Sequence, residues 1–198
     1  MSNPNKDLET EELIKKTAKN LFFKEGKFGA TTQEIADAAG VNRTLINYYF
    51  RSRENLMQLV FEDAKKREED LRENALFSEL PFKSKIEIYI QESLKNSLEY
   101  PYLETYIVSQ LNKGVFYHKE KDYSRFFEQF YKDFNAEVAK GNIENIDPVQ
   151  FIFNVASLVS FPMAIRPLFQ SIMNLSDERY EELIRDRKEI IMNILFKN

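Results

Sequence analysis

The sequence predicts an all-α protein, and three observations carry that expectation. Apolar residues recur at three- and four-residue spacing, with no sustained period-two alternation. The chain has only 5 Gly and 6 Pro, and they fall where helices should end. Gly26, Gly29, Gly40, Gly114 and Gly141, with Pro4, Pro81, Pro101 and Pro148, cut it into segments of helical length. No repeat or low-complexity tract interrupts the pattern. About nine or ten helices are expected.

The first three are short. Thr10 suits an N-cap, with Glu11 and Glu12 in the first turn where the helix dipole favours negative charge. That helix carries Leu13, Thr17, Ala18, Leu21 and Phe22 on one stripe and runs to about Lys24, where Gly26 supplies a left-handed stop. Thr31 and Glu34 form a capping box that opens helix two. Ile35 and Ala39 face inward, Ala36 permits close approach, and Gly40 ends the helix. Val41 is an apolar plug and Asn42 a cap. Arg43 to Tyr49 is a third helix with Ile46 inward, and Ser52 caps a fourth from Arg53 to about Asn74.

Helix two, a short turn opening with Gly40, and a short third helix have the spacing of a helix-turn-helix. In that motif the second helix enters the major groove, about 12 Å wide, and its N-terminal residues meet base edges. The outward positions are Arg43, Thr44, Asn47 and Tyr48, while Ile46 and Phe50 lock the helix to its partners. Arg can bond guanine through two hydrogen bonds and Asn can do the same to adenine. Thr31, Thr32, Tyr49 and Arg53 suit phosphate contact. The chain's net charge is -4, but no acidic residue lies between Asp37 and Glu54, a window that holds Arg43, Arg51 and Arg53. A helix–Gly–helix passage also occurs in all-α proteins that never touch DNA, so spacing alone does not decide.

The run from Ile14 to Leu56, and above all TTQEIADAAGVNRTLINYYFRSRENL, resembles the DNA-binding domain of the TetR family of bacterial transcriptional regulators. The matching features are LFF-x-x-G before a TT, I-A-x-A-A-G-V, the Y-Y-F ending helix three, and R-S-R-E-x-L opening helix four. The resemblance implies that Thr32 and Gln33 meet the backbone or a flanking base. It implies that Arg43, Thr44, Leu45 and Asn47 form the exposed recognition face, that Tyr49 lies near the backbone, and that Arg53 grips a phosphate. Asn42 is included among the DNA-binding residues. Where the family often has Gly-Thr-Leu-Tyr, this chain has Thr44, Leu45, Ile46 and Asn47. Leu45 offers an apolar contact to a thymine methyl and Asn47 an amide, so the operator does not transfer from a relative.

Residues 1–52 are therefore expected to form the helix-turn-helix domain, and 53–198 a larger helical regulatory and dimerisation domain. The larger part crowds Phe116, Tyr117, Tyr123, Phe126, Phe127, Phe130, Tyr131 and Phe134 into one region, and Phe151, Phe153, Phe161 and Phe169 into another. The family resemblance implies an internal cavity whose effector moves helix four and so changes the spacing of the recognition helices. The candidate ligand residues are Phe116, Tyr123, Phe127, Phe130, Phe134, Phe161 and Arg166. Plain core packing is the alternative for each Phe, and a surface position or a pairing with a buried acid the alternative for Arg166. Pro162 and Pro167 break the helix around it. The segment Val149 to Val159 is apolar nearly all round and the last helix, after the Ser176 cap, has a wide apolar stripe. The resemblance implies that these two pair with their copies in a homodimer; packing within a monomer is the alternative. In a dimer, recognition helices about 34–36 Å apart reach successive major-groove faces of a near-palindrome.

Composition excludes several other classes. The chain has no Cys and one His, His118, so no Cys-ligated metal site, disulfide scaffold or His-rich zinc site is expected. There is no Glu-x-x-His, no phosphate-cradling Gly loop and no nucleophile elbow, so neither an enzyme nor a cofactor is expected. No stretch approaches about 18–20 apolar residues, and the first residues are polar and acidic, which suits neither a membrane span nor a signal peptide. A cytoplasmic protein bound to a double-stranded DNA operator, a repressor released by a small apolar or amphipathic effector, is the expected reading. A DNA-binding dimer with no effector and a helical protein-binding adaptor are the alternatives.

Overall fold

The computed structural model describes residues 4–112 and 123–197, and among them every regular element is helical. In chain order these are α1 Pro4–Lys19, a π-helical turn Asn20–Lys24, α2 Thr32–Ala39, α3 Arg43–Phe50, α4 Arg53–Leu76, α5 Phe82–Glu99 and α6 Leu103–Asn112. They continue as α7 Ser124–Ala139, α8 Pro148–Ala164, α9 Arg166–Met173, α10 Asp177–Arg185 and α11 Arg187–Leu195. The number exceeds the expected nine or ten because single residues, Ile165 and Asp186, split two long helical stretches. α1 also starts earlier than Thr10. Pro4 needs no amide partner at a first position and Asp7 lies in the first turn, so the helix begins there and Thr10 lies inside it.

The chain divides into two compact units, Met1–Glu69 with Tyr100–Leu103, and Asp70–Glu99 with Glu104–Asn198. In the first unit the π turn solves a packing problem. Leu21, Phe22 and Phe23 are consecutive yet all buried, which a regular helix facing the core on one side does not allow. The amide of Glu25 reaches back to the Asn20 carbonyl at 3.0 Å, and that of Lys27 to Leu21 at 2.8 Å. Gly26 then turns at φ 71°, and a Cβ there would meet the Tyr102 ring at 3.1 Å, so both conformation and space demand glycine. Ile14, fully buried, and not Leu13, anchors α1; Leu13 faces solvent.

In the second unit, α5 packs on α7, α8, α10 and α11. Its buried stripe Phe82, Ile86, Ile90 and Leu94 repeats every four residues. Phe82, Phe130, Phe134, Phe151 and Phe196 join into one aromatic cluster, with Phe134 and Phe151 ring centres 5.2 Å apart. Asp147 caps α8 through the Val149 amide at 2.7 Å, with Pro148 at the first position. α8 buries Phe151, Val155 and Val159, yet Phe153 is 60% and Phe161 56% exposed. The stretch read as buried on several sides thus has a free face within the chain. The C-terminal stripe splits likewise: Ile184 and Ile191 turn inward while Leu183, Ile190 and Ile194 remain exposed.

No single helix among the described residues is long and apolar enough to cross a membrane. α8 and α9 reach that length and composition only together, and they bend by 66° at their junction. Phe151→Ala should cost about 3–5 kcal/mol of stability, because it leaves a cavity amid four rings; chemical denaturation followed by helical circular dichroism measures it.

Candidate nucleic-acid interface

The α2–α3 passage is built by local hydrogen bonds. The Thr31 hydroxyl accepts from the Glu34 amide at 3.2 Å, and Glu34 accepts from the Thr31 amide at 2.7 Å. The Thr31 amide first, and the Thr31 hydroxyl donating to the same carboxylate oxygen at 2.8 Å second, hold the Glu34 carboxyl below its ordinary range. The stabilisation from this box is present above the ordinary carboxylate pKa and is lost as pH falls through the lowered one. Thr31 is thus engaged in capping, whereas the Thr32 and Gln33 amides precede the first bond of the helix, Ile35 to the Thr31 carbonyl. Those two amides are the ones a phosphate can use. The Gln33 side chain donates to Asp37 at 2.7 Å.

Gly40, at φ 65°, ends α2 in a left-handed turn, and the Val41 amide closes it onto the Ala36 carbonyl at 3.0 Å. The Asn42 side chain then accepts from both the amide and the hydroxyl of Thr44, at 2.9 and 2.7 Å, and starts α3. Within α3, Ile46 and Phe50 are buried, Leu45 and Tyr49 are half-buried, and Arg43, Thr44, Asn47 and Tyr48 are exposed. Tyr48 is 63% exposed and meets the Tyr49 ring edge-on at 5.0 Å. The four expected outward residues therefore share one free face, with neither Arg43 nor Arg51 in an ion pair among the described residues.

Arg53 has a second job that sequence reading missed. Its Nε donates to the Ala30 carbonyl at 2.6 Å and its Nη2 to the Phe28 carbonyl, and the guanidinium lies 5.5 Å from the Phe22 ring. It braces the start of α4 against the loop before α2. Beside it, Arg51 sits at φ 66° with the Ser52 amide closing on the Phe50 carbonyl at 2.8 Å, a conformation costly for a residue with a Cβ.

Two adjoining hollows lie in the second unit. An apolar chamber of about 320 Å³ is lined by Leu76, Ile86, Tyr89, Tyr123, Phe126, Phe127, Phe130, Ile152, Val155 and Ala156. A more polar cleft of about 640 Å³ shares the Leu76, Ile86, Phe126 and Phe130 walls and adds Lys85, Arg125, Lys132 and Asp133, with Lys85 and Asp133 paired at 3.2 Å. The chamber gathers Tyr123, Phe127 and Phe130 of the candidate ligand residues. Phe134 lies in the aromatic core and lines neither hollow, Phe161 is on the exposed side of α8, and Phe116 falls outside the described residues. Arg166 is 3% exposed and bound to Asp177 at 2.7 Å, over the Tyr180 ring. Gln170 first, and Arg166 second, hold the Asp177 carboxyl below its usual range. Arg166 does pair with an acid, but the burial is the reverse of the expected one: the arginine is buried and the Asp177 side chain is 69% exposed. The wall residues from α4, α5 and α8 carried no local signal; only the fold gathers them.

This free-faced second helix, fixed by a glycine turn behind a capped first helix, has the geometry of a helix-turn-helix. Residues 14–60 match the model of the bacterial regulatory proteins of the tetR family, so this segment is similar to the DNA-binding domain of that family. Solved structures agree in fold. A TetR/AcrR-family regulator of Thermobifida fusca is 16% identical, covering 93% of this chain and 97% of its own, with a TM-score of 0.58. A TetR-family regulator of Marinobacter aquaeolei is 12% identical over 99% and 100%, with a TM-score of 0.59. A Clostridium perfringens protein described as a candidate fatty acid metabolism regulator is 19% identical over 92% and 96%, with a TM-score of 0.58. No curated protein sequence matches significantly.

Two substitutions separate the structural from the electrostatic role of the arginines. Arg53→Ala should destabilise the protein by about 1–3 kcal/mol, because two loop carbonyls lose their donor. Arg51→Gly should stabilise it by about 1 kcal/mol by relieving the left-handed strain, while removing a cation near the interface. Thermal melts read both.

Proposed function

We propose that the protein is a homodimeric repressor that occupies a two-fold-symmetric operator and is released by an amphipathic effector in the cytoplasm. The free face of α3, Arg43, Thr44, Asn47 and Tyr48 over the buried Ile46 and Phe50, carries the DNA half of this reading. Arg43 and Asn47 read base edges, and Leu45 meets a thymine methyl. Thr32, Gln33, Tyr49 and Arg53 position the backbone, with Thr31 and Asn42 holding the helix ends that meet it. The functional division falls at residue 52, with 53–198 regulating.

The dimer reading rests on the outward stripes Val149, Phe153 and Phe161 of α8 and Leu183, Ile190 and Ile194 of α10 and α11, apolar side chains left in water by a single chain. A second copy buries them by two-fold symmetry. The effector reading rests on the chamber: Tyr123, Phe127 and Phe130 with the neighbouring aliphatic residues hold an apolar body, and the adjoining cleft holds a polar head. Leu76, the last residue of α4, lines the chamber, so an occupant bears on that helix. An open chamber favours this over a dimer without effector.

Selection from a random duplex library at physiological salt tests the DNA half. Recovery of a two-fold-symmetric motif is expected; weak binding that vanishes with salt contradicts it. Arg43→Ala and Asn47→Ala should each lose about 1–3 kcal/mol of discrimination at one base position while the dimer survives. Phe153→Glu should give monomers in sedimentation velocity and weaken operator binding. Saturated fatty acids are the first effector probe, given the chamber's apolar lining and the description of the Clostridium perfringens neighbour. The melting temperature should rise with chain length and the duplex should be released. Ala156→Phe, which fills the chamber, should keep DNA binding and abolish that response.

A further inference from the structure

The window from Asp37 to Glu54 is free of acids along the chain but not in space. The Tyr49 hydroxyl donates to the Asp7 carboxylate at 3.3 Å, across 42 residues of sequence. Asp7 belongs to the first turn of α1, and Glu11, one turn on, adds its charge toward the same phenol while also lying 3.7 Å from Lys15. Burial, then the charge and hydrogen bond of Asp7, hold Tyr49 above its ordinary pKa, so the phenol stays a donor. Tyr48 packs edge-on against it, on the same end of α3 as the exposed Arg51.

A phenol that donates to a carboxylate has the same proton available for only one strong acceptor at a time. A phosphate oxygen brought to Tyr49 must replace the Asp7 oxygen and then sit beside the carboxylate it displaced. Resting on the reading of α3 as the DNA-facing helix, we propose that Asp7 is a brake on DNA binding: it occupies the Tyr49 hydroxyl and lays a negative charge beside the phosphate path. The effect is the same for every base sequence, since phosphates carry no sequence information. It therefore lowers affinity for operator and random DNA together and keeps the free protein from lodging on unrelated duplex. An oriented Tyr49, with Asp7 merely setting its ring for DNA, predicts the opposite sign.

The test is duplex binding by the full-length protein over a range of salt, using a mixed-sequence duplex and the duplex recovered by selection. Asp7→Asn and Asp7→Ala, each with its melting temperature, are compared with Tyr49→Phe, the double variant Asp7→Asn/Tyr49→Phe, and Arg43→Ala. Both Asp7 variants should bind the two duplexes about two- to fivefold more tightly, with the gain fading at high salt and shrinking in the Tyr49→Phe background. Affinity equal to or below wild type in both Asp7 variants overturns the brake, as does a gain undiminished by Tyr49→Phe. If Arg43→Ala binds both duplexes like wild type, the DNA-facing reading of α3 itself fails. If it loses the selected duplex while both Asp7 variants gain nothing, only the brake fails.

Discussion

The second helix of the helix-turn-helix is too short to stand alone. α3 has eight residues, and isolated helices below about 12–15 residues are marginal in water even with the best helix formers. It exists because Ile46 and Phe50, four residues apart, are buried in the first unit while Asn42 and the Gly40 turn fix where it starts. Clamping one face leaves the opposite face in water. Arg43, Thr44, Asn47 and Tyr48 are free because of what Ile46 and Phe50 do, and the order of apolar and polar residues in eight positions sets both. Arg53 adds a separate brace, tying the start of α4 to the loop that launches α2.

What was legible in the sequence was what is local. The capping box at Thr31 and Glu34, the stop at Gly40, the cap at Asn42 and the inward Ile46 each depend on residues within four or five positions, and each lies where the pattern places it. The Asp7–Tyr49 and Arg53–Phe28 contacts join residues 42 and 25 apart, and no periodicity announces them. Thr10 misled because a good capping residue also fits inside a helix when a proline further upstream starts it first. The break at Asp186 was invisible for another reason: its backbone stays close to helical, at ψ -11°, so no glycine or proline is needed there.

The larger unit follows the same division of faces at greater scale. Helices α7 and α8 are apolar over more than the face one partner can cover. On α7, Phe134 enters the core, Phe130 borders both the core and the hollows, and Phe126 and Phe127 turn toward the hollows; on α8, Phe151 enters and Phe153 leaves. Aromatic abundance therefore divides into a core, a chamber wall and an outer stripe. Sequence alone cannot assign a given Phe among the three, because all three ask for the same residue type. Only the positions of neighbouring helices decide, which is why Phe134 and Phe161 part company with Tyr123, Phe127 and Phe130.

The clamp is tested most directly by amide hydrogen exchange along α3, in the free protein and bound to duplex. If Ile46 and Phe50 hold the helix before DNA arrives, the Asn47 to Phe50 amides of the free protein should exchange as slowly as buried core amides of the same unit, such as that of Phe22. DNA should then add little protection there beyond the exposed side. Rapid exchange throughout α3 in the free protein, with protection gained only on DNA, would mean that the duplex folds the helix and would contradict the account.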